Sequence, residues 1–229
     1  MIKPYIVCYM MTSVDGRIDC SMTEKLKGVE EYYPLLKKLN LENSISGKVT
    51  AELELAEPGK FNPKEESVNE EVFSKKVDSS NGYNIVLDTN GTLLWNEDSS
   101  YERPHIIITS NRVTKDYLKY LDSKNISYIV TGNGKIDLSR MLEILYKEFK
   151  VERVGVVGGS QVNTSFLDSG LLDEIVVLIG AGIDGRSNYP TIFERKNGDG
   201  IPTDLELIEV KSYDTGSVQI RYKVKKAFR

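Results

Sequence analysis

Apolar and polar positions along the chain change rhythm repeatedly, and the changes mark its elements. Tyr5 to Thr12 is almost wholly apolar and opens into Ser13-Val14-Asp15-Gly16, which predicts a buried strand and then a turn. From Glu30 to Leu39 the period lengthens, and Tyr32, Tyr33, Leu35, Leu36 and Leu39 share a helical face. NSISGKVT predicts a short strand entering a glycine turn. Residues 56–82 turn polar and lose periodicity, as a solvated insertion or a functional flap would. Beyond them YNIVLDTNG, HIIITSN, ISYIVTGNG and RVGVVGG each read as a strand ending in a turn. Helical stripes separate these runs: Val113, Tyr117, Leu118 and Leu121, then Leu138, Met141, Leu142, Leu145 and Phe149 in a helix starting at Asp137. Ser160 to Ser169 predicts another helix and Glu174 to Ala181 a buried strand. LELIEVKSY and VQIRYKV alternate around Asp214-Thr215-Gly216-Ser217, a hairpin signal.

Strand–helix alternation demands crossovers, so the expected class is α/β: one domain over 1–229, a mixed and mainly parallel sheet flanked by helices, and a C-terminal antiparallel hairpin. Ligands of such sheets bind beyond the carboxyl ends of the strands. TSVDG, SGKVT, DTNG and VVGGSQ all fall at such ends. At Gly158-Gly159-Ser160-Gln161 a helix start offers unpaired N–H groups to a phosphate, with glycines that let it approach. Close packing of strand on helix is the alternative reading. The spacing is not GxGxxG, so no Rossmann fingerprint is present. Gly47-Lys48-Val49-Thr50 joins a glycine, a cation and a hydroxyl at a second helix start.

Composition narrows the chemistry. The chain has 229 residues, 40% hydrophobic and 28% charged, ordinary for a globular protein with a sizeable core. A formal net charge of −4 argues against nucleic acid as a partner. No run approaches the roughly 18 apolar residues of a membrane span. The N-terminal run lacks a cleavage signature, so a cytoplasmic location is expected. Cys8 and Cys20 have no metal-like spacing and His105 is the sole histidine, so no Cys/His metal site is expected, nor a Ser-His-Asp triad away from His105.

PYIVCYMMTSVDGRI, SGKVT, NIVLDTNGTL and, most specifically, GVVGGSQVNTSFLDSGLLDEIVVLIGAGIDGRSNYPTIF together resemble the reductase domain of bacterial and archaeal riboflavin biosynthesis, within the dihydrofolate reductase superfamily. The resemblance spans nearly the whole chain except 56–82. It implies a dihydrofolate-reductase-like fold, NADPH as cofactor, and hydride transfer to 5-amino-6-(5-phosphoribosylamino)uracil or a related pyrimidine or pterin. It implies cofactor contacts at Gly47, Lys48, Thr50, Asp88, Thr89, Thr109, Ser110, Gly158, Gly159, Ser160, Gln161 and Val162. Met11, Thr12, Ser13 and Gly16 match the loop beside nicotinamide and substrate. Family relatives are commonly homodimers, which suits the long terminal strands.

Two departures touch the substrate end. The family's turn carries a glutamate before three glycines, where Val157 and Ser160 stand in the outer positions here, and its Asp-Asp-Pro segment is replaced by AELELAEPGKF. A reductase of another small carbonyl or imine, and a non-catalytic nucleotide-binding relative, therefore stay open. Asp15 is the acid expected to handle a proton, with a turn-forming Asp-Gly as the alternative. Glu31, beside Glu30 at a helix start, lies roughly where dihydrofolate reductases keep a substrate-binding carboxylate. Tyr32 and Tyr33 read as core, and Asp168, Asp173 and Glu174 as helix-exit and surface charges.

Overall fold

The computed structural model describes residues 2–195 and 200–225. Its strands are β1 Tyr5–Thr12, β2 Ser44–Gly47, β3 Val72–Ser74, β4 Asn84–Leu87, β5 His105–Thr109, β6 Ser127–Val130, β7 Arg153–Val156, β8 Glu174–Ile179, β9 Leu205–Ser212 and β10 Val218–Val224. Its α-helices are α1 Cys20–Thr23, α2 Tyr32–Lys38, α3 Lys48–Glu54, α4 Lys115–Ser123, α5 Leu138–Lys147 and α6 Ser160–Asp168. The chain divides into two compact units, one of residues 1–4 and 42–154, the other of 5–41 and 155–229. β7 straddles the division.

In the first unit the strand order is β3-β6-β5-β4-β2. β2, β4, β5 and β6 run parallel, joined by crossovers, and β3 pairs antiparallel with β6. Ile106, Ile107 and Ile108 are fully buried, as befits a parallel strand covered on both faces. Ala51, Val86, Leu93, Trp95, Ile107, Tyr117, Leu121 and Val130 form the core on one face. On α5, Met141, Leu142, Ile144 and Leu145 are buried, and the Asp137 carboxylate caps its start by accepting from the Arg140 amide at 3.0 Å. Residues 56–82 are mostly exposed and are anchored as a strap at a few points. Phe61 packs edge-on to Tyr117, the Val68 amide donates to the Val113 carbonyl, and β3 adds an edge strand.

In the second unit the order is β1-β8-β10-β9. β1 runs parallel to β8, with Cys8 opposite Ile175 and Met10 opposite Val177, while β10 is antiparallel to both β8 and β9. Val7, Tyr9, Met11, Leu26, Leu35, Leu39, Leu41, Val176 and Leu178 make its core. Tyr32 stacks on Tyr9 at 4.7 Å between centroids, but Tyr33 is 74% exposed, against the core reading of that residue. Glu174 is buried, not a surface charge. It pairs with Arg221 and accepts from the Tyr5 hydroxyl at 3.1 Å, which satisfies a carboxylate that burial would otherwise penalise.

Candidate functional site

The first unit gathers seven expected residues at the carboxyl ends of β2, β4 and β5. Gly47 precedes α3 in an extended conformation, and Lys48 opens the helix with its ammonium 2.6 Å from Thr92 Oγ1. Thr50 lies on the same short helix. The buried Asp88 accepts from the amides of Thr92 at 2.5 Å and Leu93 at 2.8 Å and from Thr92 Oγ1 at 3.1 Å. These bonds close the turn after β4. Ser110 donates both its amide and its hydroxyl to the Thr89 carbonyl, each at 2.9 Å, tying the loops after β5 and β4 together. Thr109 Oγ1 is buried without a hydrogen-bond partner among the described residues. His105 is wholly buried and bonded through Nδ1 to Asp98 at 2.9 Å, so the sole histidine is a packing residue.

The second unit carries the Gly158-Gly159 turn. Gly158 has φ 120°, where a side chain is strained, and the peptide between the two glycines is cis. Gly159 differs: its φ of −78° suits any residue, and a Cβ there would meet nothing within 4 Å. Neither strain nor packing asks for glycine at 159, and the space in front of it is open. Ser160, Gln161 and Val162 form the first turn of the nine-residue α6. The amides of Val162 and Asn163 turn back to the Gly159 carbonyl at 3.0 and 3.1 Å. Those of Ser160 and Gln161, at the helix start, have no partner among the described residues. The residues present therefore fit a phosphate-bearing cofactor, with the helix dipole favouring its charge. Glu194, missed in the sequence, reaches this turn: its carboxylate accepts from Ser160 Oγ at 3.2 Å and the Thr191 amide at 3.0 Å.

Met11, Thr12 and Ser13 are buried at the end of β1, and Gly16 turns the chain with φ 81°. Asp15 is exposed, yet both oxygens are engaged. Oδ1 accepts from Ser13 Oγ at 2.7 Å and the Asp184 amide at 2.9 Å, and Oδ2 from the Gly185 amide at 3.0 Å. The Ser13 hydroxyl, then the two amides, hold its carboxyl well below the usual range. Its three donors come from its own turn and from the segment around Gly185. Glu31 sits in the turn before α2, where burial first and the Glu31 charge second push the nearby Tyr213 phenol up. Beside the Asp15 loop an open depression of about 320 Å³ is lined by Ser21, Met22, Lys25, Leu26 and Gly182 to Asp184, with Arg186. The sequence reading missed this depression. Its one signal was the echo of Val14-Asp15-Gly16-Arg17 in Ile183-Asp184-Gly185-Arg186. No described helix is long and apolar enough to cross a membrane.

The chain is similar to 2,5-diamino-6-ribosylamino-4(3H)-pyrimidinone 5′-phosphate reductases. It is 30% identical to that of Methanothermobacter thermautotrophicus over 125 residues, 54% of this chain and 57% of that one. It is 27% identical to that of Aquifex aeolicus over 128 residues, 56% and 53% of the two chains. The matched stretches thus span about half the length of these relatives. In structure it resembles a pyrimidine reductase-like protein from Corynebacterium diphtheriae, with a TM-score of 0.69, 18% identity and coverage of 97% and 92% of the two chains. That likeness shows the dihydrofolate-reductase-like α/β fold, with its mainly parallel strands and antiparallel C-terminal pair. The model of the RibD C-terminal domain matches residues 4–219, and the chain belongs to that family.

Proposed function

We propose that the chain is an NADPH-dependent reductase of a ribosylaminopyrimidine 5′-phosphate, acting in the cytoplasm as one family domain. The observation that carries this reading is the open cradle at Gly159 before the start of α6, in a chain of this family. When bound, the nicotinamide cofactor supplies a hydride, which passes to C1′ of the ring-opened imine while a proton goes to its nitrogen. The chain's own task is to hold and orient the two partners. The unpaired amides of Ser160 and Gln161, with Gly158 and Val162 shaping the turn, are proposed to bind the diphosphate. Gly47, Lys48, Thr50, Asp88, Thr89, Thr109 and Ser110 are proposed as further cofactor contacts, Thr109 and Ser110 toward a 2′-phosphate. Met11, Thr12, Ser13 and Glu31 are proposed on the substrate side. Titration of wild type and Gly159→Asp with NADPH, and separately with NADH, tests the reading. Tighter binding of NADPH by wild type, lost in the variant, supports it. Equal binding by wild type and a folded Gly159→Asp would remove the cradle from the account.

A homodimer through β9 is part of the proposal. All eight residues of this edge strand are exposed, among them Leu207 at 57% and Val210 at 57%. An unpaired apolar edge is a template for a second strand.

A further inference from the structure

The loops Val14–Arg17 and Ile183–Arg186 repeat one tetrad, and they clasp each other. The Val14 amide donates to the Gly182 carbonyl at 2.8 Å, and the Ile18 amide to the Pro190 carbonyl at 3.2 Å. The Arg17 guanidinium donates to the Tyr189 carbonyl, and the Asp15 carboxylate takes the amides of Asp184 and Gly185. Gly16 and Gly185 both have positive φ, 81° and 70°, but only the first loop closes a tight turn, through the Gly16 amide on the Ser13 carbonyl at 2.9 Å. The clasped loop then builds the depression. Gly182, Ile183, Asp184 and Arg186 form its wall facing Ser21, Met22, Lys25 and Leu26. Arg186 is fixed in turn by Asp184 and by Asp19 at 2.8 Å, and lies 3.7 Å from the centre of the Tyr189 ring. Lys25 has no ion-pair partner among the described residues, and it lines the same depression. An anionic substrate end would meet a wall in which Asp15 holds the amides of Asp184 and Gly185.

We propose that Asp15 is a positioning residue for the substrate: it locks the Ile183–Arg186 loop as one wall of this depression, which receives the phosphate end of the substrate, and passes no proton itself. The proposal rests on the reductase reading above. Asparagine cannot replace this carboxylate, although its shape is the same. It offers one accepting oxygen where three donors converge, and its amide group would face a backbone N–H.

Asp15→Asn and wild type are compared by steady-state kinetics with NADPH and the pyrimidine phosphate, by NADPH titration, and by amide hydrogen exchange of the ligand-free protein. The clasp role predicts a KM for the pyrimidine raised about tenfold or more, kcat within about threefold, and an unchanged shape of the pH profile. NADPH affinity stays as in wild type, and the amides of Asp184 and Gly185 exchange faster. A kcat lowered about 10²–10⁴-fold with loss of one limb of the pH profile marks Asp15 as a general acid and overturns the proposal. An unchanged KM, or unchanged exchange at those two amides, overturns it as well. Should Asp15→Asn not fold, Ser13→Ala removes one of the three donors, and a smaller KM rise in the same direction is expected; no rise counts against the clasp. A wild-type protein that oxidises no NADPH with this substrate overturns the reductase reading and the substrate role with it, whereas the exchange measurement still decides the clasp by itself.

Discussion

At Gly159 the backbone would accept alanine and the space would admit its methyl group, so stability and binding should part company. Gly159→Ala is expected to leave thermal stability within about 1 kcal/mol of wild type, because only the unfolded chain loses freedom. Its NADPH affinity should nevertheless fall, and Gly159→Asp should lose at least about tenfold, roughly 1.4 kcal/mol, by charge repulsion and steric block. Calorimetric binding beside a melting curve checks both halves; a Gly159→Ala that unfolds early would return this glycine to a packing role. The clasp makes a second prediction, in pH. Hydrogen bonds hold Asp15, Asp19 and Asp184 below the ordinary carboxylate range. A depressed pKa stabilises the fold above the unfolded value of about 4 and loses that contribution as pH falls through the folded value. Exchange at the Asp184 and Gly185 amides should therefore stay slow from neutral pH to about 4 and quicken only below it, after correction for intrinsic rates. Quickening already at pH 6 would contradict the assignment. The two sites differ in legibility for a simple reason. Gly158, Gly159 and the start of α6 are neighbours in the chain, so the sequence displays them together. Asp15 meets Asp184 and Gly185 across about 170 positions, and a single Asp-Gly cannot say whose amides it will accept.

Elements were legible where one rhythm runs long enough. β1 occupies the expected Tyr5–Thr12, and α6 and the terminal strands lie within a residue or two of their patterns. The alternation of LELIEVKSY and VQIRYKV around a glycine turn foretold the β9–β10 pairing, in which Ile220 lies opposite Val210. The strap over 56–82 was not legible, because its anchors come singly. Phe61, Val68 and Val72 reach the core of the first unit from separate turns among charged residues, and no period links them. Glu174 was misread for a related reason, since its partner Arg221 is 47 positions away. The strap yields a prediction at this scale. Phe61 touches Tyr117 at 5.0 Å and Tyr120 at 5.3 Å between centroids. As a half-buried ring it should cost about 2 kcal/mol on change to alanine, below the figure for a fully buried phenylalanine. Urea titration measures the loss, and protease cleavage within 56–82 should become faster. A stable variant with unchanged cleavage would show that the strap is held by its backbone bonds alone.

For the molecule as a whole, the edge strand β9 offers a self-complementary pattern. Paired antiparallel with its own copy so that Glu206 meets Lys211, it also sets Leu207 against Val210, joining opposite charges and apolar side chains. Leu207→Lys with Val210→Lys should turn the expected dimer into a monomer by sedimentation at micromolar concentration while leaving the fold intact. A wild-type monomer at that concentration would remove the idea. The proposed reduction rests on family membership together with the open turn before α6, and turnover tests it. The most direct test is to mix the purified protein with NADPH and 2,5-diamino-6-ribosylamino-4(3H)-pyrimidinone 5′-phosphate, then repeat the assay with the deaminated uracil form, and follow loss of the reduced nicotinamide. The account predicts NADPH oxidation in step with formation of the ribityl product from one of the two. Tight NADPH binding without oxidation in the presence of either would contradict it and leave a nucleotide-binding protein without this chemistry.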